Sequence, residues 1–185
     1  MKLIALTGKA GAGKDSVADV LCRDHGFVRY AFAKPLKDML KAIGVDCSER
    51  STKELPHPVF GASPRKMAQT LGTEWMREMI CKDGWLKLAA QFIGNHDAVN
   101  TQGIVVTDCR FPNEAAFIAE RDGVIWHIER PECPVVAAHS SESGLTKEPG
   151  DLVLVNDGTL DDLSNQVRLA IERPAFYQVA WSDKT

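Results

Sequence analysis

A chain of 185 residues with 44% apolar content fits one soluble globular domain, and a net charge of −3 with a pI near 6.0 argues against a general nucleic-acid grip, which needs a strongly basic face. Cys22, Cys47, Cys81, Cys109 and Cys133 are odd in number, widely spaced and free of any C-x-x-C pair, a pattern that points to neither a disulfide framework nor a zinc site and suits a reducing cytosol. No apolar run reaches signal-peptide or membrane-spanning length, so the expected setting is the cytoplasm, away from membranes, with small molecules as partners.

Lys2 to Thr7 reads as a strand buried on both faces, because Leu3, Ile4, Ala5 and Leu6 form a continuous apolar run that glycines then stop. From Lys14 to Asp24, Val17, Val20 and Leu21 make one helical stripe. Phe27 to Phe32 is a second strand. Pro35 then opens a helix carrying Leu36, Met39, Leu40 and Ile43 at helical spacing, closed by Gly44. Residues 45–63, rich in Ser, Pro, His and charge, have no period and read as a connecting region.

Met67, Leu71, Trp75 and Met79 recur every four residues, and Trp85, Leu88, Ala89 and Phe92 repeat the pattern. Two helices with apolar faces mostly in the core are expected, broken near Asp83-Gly84. Ile104 to Thr107 is a β-branched strand, Pro112 opens a helix holding Ala115, Ile118 and Ala119, and Val124 to Ile128 and Leu152 to Val155 are the last strands. Thr159 is the natural N-cap of a final helix bearing Leu160, Leu163, Val167 and Ile171. Strands separated by helices argue for a parallel α/β sheet, with a ligand beyond the carboxyl ends of the strands.

Gly8-Lys9-Ala10-Gly11-Ala12-Gly13-Lys14 matches the G-x-x-x-x-G-K phosphate loop and lies between a strand and a helix, as that motif requires. Small residues there let backbone N–H groups turn inward around a β-phosphate, while Lys14 reaches the β and γ oxygens. Gly8, Ala10, Gly11, Ala12, Gly13, Lys14, Asp15 and Ser16 are therefore the expected ATP contacts. Asp15 stands where a Ser or Thr hydroxyl ordinarily ligates magnesium, with Ser16 one residue later. Either the Asp15 carboxylate takes over that role or it is a first-turn acid complementing the helix dipole.

Phosphoryl transfer holds two polyanions in line, so cations must converge on the loop. In an extended segment alternate residues face the same way, which lets Asp108 and Arg110 both point toward the phosphates. Asp108 is then a carboxylate for magnesium or its waters, and Arg110 binds the acceptor phosphate; a local ion pair is the alternative.

Gly-Lys-Asp at 13–15, Phe-Ala-Lys-Pro-Leu-Lys at 32–37, Leu-Gly-Thr-Glu-Trp at 71–75, Thr-Asp-Cys-Arg-Phe-Pro-Asn-Glu at 107–114, His-Ser-Ser-Glu at 139–142 and Asn-Asp-Gly-Thr-Leu at 156–160 together resemble bacteriophage-type deoxynucleoside monophosphate kinases. The resemblance covers nearly the whole chain, and the order and spacing of all six segments are specific. It implies a single P-loop kinase domain of three layers: a parallel five-stranded sheet with helices on both faces, a helical substrate-binding region over residues 33–98 and a small lid over 130–150. It also implies ATP and Mg²⁺ as cofactors and a deoxynucleoside diphosphate product, in a host cytoplasm if the protein is phage-encoded, and it leaves room for a homodimer.

By similarity to the family, Arg65 binds the monophosphate, and Lys34, Pro35, Leu36 and Lys37 open the helix flanking its base and sugar. Glu74 and Trp75 are further acceptor contacts. Core packing for Leu36 and Trp75 and simple solvation for Lys37 and Glu74 are the competing readings. Arg130, at the entry to the lid, is a candidate for covering the transferring phosphate, and Lys14, Asp108 and Arg110 complete the catalytic set. Asn156, Gly158 and Thr159 follow the last strand, where related kinases hold adenine; turn and capping chemistry is the alternative. The nearest rival is a kinase of another phosphorylated metabolite, similar to phosphomevalonate or dephospho-coenzyme A kinases, because the phosphate loop reports the donor and not the acceptor. A P-loop switch protein is a more distant one, with no N-K-x-D guanine motif in its favour.

Overall fold

Backbone pairing and burial in the computed structural model, which describes residues 1–48, 51–97, 101–131 and 145–173, follow from the apolar runs. The chain divides into two compact units, one of Met1–Ala31 with Ile93–Thr185 and the other of Phe32–Phe92.

In the first unit, β1 (Lys2–Thr7), β2 (Phe27–Tyr30), β3 (Gly103–Val106), β4 (Val124–Glu129) and β5 (Leu152–Val155) form one parallel sheet in the order β2-β3-β1-β4-β5. All of β1 from Leu3 to Thr7 is buried, as the central strand of a sheet covered on both faces must be. Side chains alternate between those faces. Ile4, Leu6, Phe27, Val105, Trp126, Ile128, Leu152 and Leu154 pack with Val17, Val20 and Leu21 of α1 (Lys14–His25) and Leu163 and Val167 of α6 (Leu160–Glu172). On the other face α5 (Pro112–Ala119) lies over β1 and β4. A Cβ at Gly123 would come within 2.6 Å of Ile118 and 3.1 Å of Leu3, so glycine lets α5 approach β4 there. The second strand stops at Tyr30, short of the expected Phe32. Its sole partner β3 is four residues long, and the Tyr30↔Val106 pair exhausts it.

In the second unit, α2 (Lys34–Ala42) has Pro35 in its first turn and Gly44, at φ +83°, just past its end. Leu36 and Leu40 are buried with Val45 and Trp85, but Met39 and Ile43 of the expected stripe are exposed. Among the described residues of 45–63 none lies in a helix or strand, and local turns such as His57 N–H to Ala62 O at 3.0 Å order them. Ser63 caps α3 (Pro64–Thr70), its hydroxyl accepting from Lys66 N–H at 3.2 Å.

The four-residue repeat departs most from expectation. After α3 the chain continues as a π-helix, Leu71–Ile80, closed at its end by Cys81 N–H to Met76 O. Bonds reaching five residues back rather than four do not continue an α-helical face. Met67 and Leu71 thus pack on the core, whereas Met79 is 75% exposed and Ile80 also faces water. At the break before α4 (Gly84–Asp97), a Cβ at Gly84 would lie 2.3 Å from the Met76 sulfur, so a larger residue there would displace that side chain. Trp85 and Ala89 are buried as expected and Leu88 is not. No helix of the described residues is long and apolar enough to cross a membrane.

Candidate active site

Residues 8–13 link β1 to α1, and their three glycines hold backbone that side chains resist: φ is +141° at Gly8, +83° at Gly11 and +108° at Gly13. Two are also sterically locked. A Cβ at Gly8 would lie 2.3 Å from the Ile128 carbonyl oxygen, and one at Gly13 would lie 2.5 Å from Asn156 Nδ2. Ala12 is buried and its N–H closes a turn onto Lys9 O at 3.2 Å. Lys14 Nζ donates to Gly8 O at 2.7 Å and Lys9 O at 2.8 Å, so the ammonium arches over the loop. Helix α1 starts with Val17 N–H on Gly13 O at 3.0 Å; the first-turn N–H groups have no acceptor within the helix, the usual setting for an anion.

Asp15 is three-quarters exposed at this helix start, with Ser16 half-buried beside it. Arg29, which sequence reasoning passed over, reaches it from β2. Its Nη2 donates to Asp15 O at 3.1 Å and Asp19 Oδ1 at 2.7 Å, and its Nη1 stands 3.9 Å from the Asp15 carboxylate. The available signal was alternation: Arg29 is two residues past Phe27, on the face that α1 covers.

Residues 107–110 continue β3 beside β1, with Thr107 N–H on Tyr30 O at 3.0 Å and Cys109 N–H on Leu6 O at 3.2 Å. Cys109 is buried, Asp108 half-buried and Arg110 exposed, so Asp108 and Arg110 project to the side away from Cys109. Burial, then the charge of Asp108, push the Tyr30 phenol up to about 12. Burial also drives the Cys109 thiol far above its usual range, helped by Glu114, Asp108 and Asp151. The backbone of Arg110 is fixed by a buried carboxylate: Glu114 Oε2 accepts from Arg110 N–H at 2.9 Å and Phe111 N–H at 3.2 Å, capping α5.

The phosphate loop, residues 107–110, Arg130 and Asn156 thus all follow the carboxyl ends of adjacent parallel strands in the first unit. The sequence profile of the deoxynucleotide monophosphate kinase family matches residues 2–61 and 60–167. The chain belongs to this family.

Among relatives of these kinases, a candidate deoxynucleotide monophosphate kinase of Acanthamoeba polyphaga mimivirus is 33% identical over 90% of this chain and 94% of its own. The deoxynucleoside-5'-monophosphate kinase of Escherichia phage T5 is 27% identical over 77% and 84%. The deoxynucleotide monophosphate kinase of Enterobacteria phage T4 is 23% identical over 91% and 98%. Solved structures share the fold at lower identity. A sugar kinase from a Janibacter species has a TM-score of 0.53 and 12% identity over 97% of this chain and 99% of its own. Shikimate kinase from Aquifex aeolicus has 0.51 and 16% over 94% and 98%. The α/β P-loop kinase fold and the kinase class of this family member follow.

The residues expected on the acceptor side of a deoxynucleotide monophosphate kinase lie mostly in the second unit. Lys34 Nζ pairs with Asp38 at 2.6 Å, Pro35 shapes the first turn of α2 and Lys37 is exposed. Leu36 is 8% exposed and meets the Gly72 position across the core, so packing takes most of its surface. Arg65 is paired with Glu54 of the connecting region. Glu74 stands 4.0 Å from Lys66, and Trp75 is half-buried on the π-helix.

In the first unit, Arg130 is exposed at the end of β4. Residues 132–144, most of the expected lid with His139, Ser141 and Glu142, lie outside the described residues. At the far end of that segment Lys147 pairs with Glu129 at 2.6 Å, and Asp151 Oδ2 bonds both His127 Nε2 and Glu148 N–H at 2.9 Å. Thr159 and Asp162 form a reciprocal capping box for α6, and their bonds hold the Asp162 carboxyl below its usual range. A Cβ at Gly158 would lie 2.7 Å from Asp162 Oδ2, so a larger residue there would crowd the capping carboxylate. Asn156 is buried, and its amide is turned onto the phosphate loop.

Proposed function

We propose that this chain moves the γ-phosphoryl group of ATP onto a deoxynucleoside monophosphate, giving a deoxynucleoside diphosphate and ADP. The observation that carries the reading is the phosphate loop: three left-handed glycines, two of them unable to accept a Cβ, with Lys14 folded over the loop carbonyls in a member of this family. On binding, the β and γ oxygens replace the Gly8 and Lys9 carbonyls as partners of Lys14, and backbone N–H groups of the loop and of the start of α1 take the remaining charge. Gly158 and Thr159, after β5, border the adenine.

An oxygen of the acceptor monophosphate attacks the γ phosphorus as the bond from that phosphorus to the β–γ bridging oxygen breaks, and ADP leaves with the bond's electron pair. The attacking oxygen is already ionised, so no general base is required. Arg110, whose main chain Glu114 holds, draws the acceptor phosphate into line, and Arg130 neutralises charge on the transferring group. Arg65 binds the acceptor phosphate, with Lys34, Pro35, Leu36 and Lys37 flanking its base and sugar and Glu74 and Trp75 as further contacts, in a substrate-binding region over residues 33–98. Exclusion of water from the site keeps the reaction from diverting to ATP hydrolysis.

The donor set fits magnesium. Asp15, Ser16 and Asp108 offer hard oxygen ligands, and a Mg²⁺ held by one or two carboxylates plus phosphate oxygens needs no larger cluster. Held by these residues, the ion would supply neutralising charge to the transferring phosphate.

A coupled assay offering dAMP, dCMP, dGMP, dTMP and mevalonate phosphate with ATP and Mg²⁺ tests the reading. ADP formation dependent on one or more deoxynucleotides is expected. Turnover of mevalonate phosphate alone, or no heat in calorimetry with MgATP, refutes it.

A further inference from the structure

Asn156 stands 144 residues from Ala12 in the chain, yet its side-chain Nδ2 lies 2.9 Å from the Ala12 carbonyl oxygen in a buried contact. Its own N–H donates to Glu129 O at 2.7 Å, prolonging the β4–β5 pairing, so the side chain projects from a fixed backbone. The partner is a pure acceptor, which requires the amide nitrogen, and not the oxygen, to face the loop.

The consequence falls on the next amide. Every described peptide bond is trans, and in a trans peptide the C=O and the following N–H point in opposite directions. With the Ala12 oxygen held on Asn156, the Gly13 N–H is aimed to the side opposite Asn156. Glycine at position 13 leaves both orientations of this peptide sterically open, so the loop's own backbone does not choose between them. Contact from β5 does. The fit is close: a Cβ at Gly13 would lie 2.5 Å from the same Nδ2, so a larger residue at 13 would press on this contact.

We propose that Asn156 is a positioning residue for the donor nucleotide, locking the Ala12–Gly13 peptide so that the Gly13 N–H faces the phosphate, rather than a contact for adenine. The proposal rests on the reading of residues 8–14 as the ATP phosphate site. Asn156 does not touch the nucleotide; it stores the loop in its binding orientation before ATP arrives. Its loss weakens ATP and spares the acceptor.

The test uses the full chain with Asn156→Asp and Asn156→Ala. Aspartate is nearly isosteric, but as a carboxylate it presents oxygen to the Ala12 carbonyl, and it donates a hydrogen bond only when protonated. In mildly alkaline buffer both variants should raise the KM for ATP by about tenfold, the size of one lost buried hydrogen bond, with the KM for the deoxynucleotide nearly unchanged. As pH falls, the aspartate variant should recover toward the wild type measured at the same pH, while the alanine variant should not. Equal weakening of both substrates, an unchanged KM for ATP, or a pH-independent defect in the aspartate variant would overturn the proposal. If either variant fails to fold, the wild-type amide spectrum decides: the Gly13 N–H resonance should move strongly on adding ADP, and a Gly13 resonance that stays fixed while Lys14 and Asp15 shift is the contrary result. Wild-type protein that binds no ATP would instead remove the kinase reading itself.

Discussion

Gly8 and Ile128 meet so closely that a Cβ on the first would lie 2.3 Å from the carbonyl oxygen of the second, in a backbone at φ +141°. The phosphate loop therefore leaves β1 pressed against β4, and the neighbour is backbone that no rotamer change can move aside. Gly8→Ala should cost about 1–3 kcal/mol of stability, seen as a lower urea midpoint, and should weaken ATP more than the acceptor in steady-state kinetics. An alanine variant with wild-type midpoint and ATP affinity would show that the contact is slack.

Asp15 replaces a neutral hydroxyl with a carboxylate beside Arg29. Asp15→Asn keeps the shape and the first helical turn while removing the charge. Turnover measured across a magnesium titration should need more metal to reach half its maximum, and the plateau should be lower. A titration curve superimposable on wild type would assign Asp15 to helix-dipole complementation alone.

Glu114 spends one buried carboxylate oxygen on the N–H groups of Arg110 and Phe111. Glu114→Ala leaves those donors without it and should cost about 1–3 kcal/mol of stability, read by chemical denaturation. Because the same bonds fix the main chain of Arg110, kcat should fall as well. Arg110→Ala should give the reverse balance, with stability nearly intact and turnover reduced on the order of 100-fold or more. If both variants lose only stability, Arg110 has no part in the transfer.

Tyr30 has a phenol pushed up to about 12 by burial and by Asp108. The folded state thus holds this proton more tightly than the unfolded chain, whose phenol titrates near 10. Its contribution to stability is fully present below about pH 10 and is lost as pH rises toward 12. Alkaline unfolding followed by circular dichroism should be steep in that window, and Tyr30→Phe should flatten it. An unchanged alkaline profile in the phenylalanine variant would place the instability elsewhere.

Much of the donor half was legible in sequence because its determinants are neighbours in the chain. A buried apolar run, glycines where the backbone must turn left-handed, a lysine and an amphipathic helix specify strand, loop and helix from residue 2 to 25 with little help from the rest of the molecule. Thr159 and Asp162, three residues apart, announced their capping box for the same reason. The Glu114 cap is equally local and was open to the same reasoning, but it was hidden behind a phenylalanine at the N-cap, where no polar side chain advertises it.

Tertiary structure alone decided the strand order, the exposure of Met39, Ile43 and Met79 on stripes that look like core, and the partners of Arg29 and Asn156. Periodicity says that a face is apolar and not whether another element covers it, and it does not register a switch from α to π hydrogen bonding. A side chain's chemistry likewise names what it could bond, whereas which acceptor it meets depends on where remote strands end. That is why the sequence offered Asn156 as an adenine contact or a turn residue, and only the folded sheet set its amide on the Ala12 carbonyl.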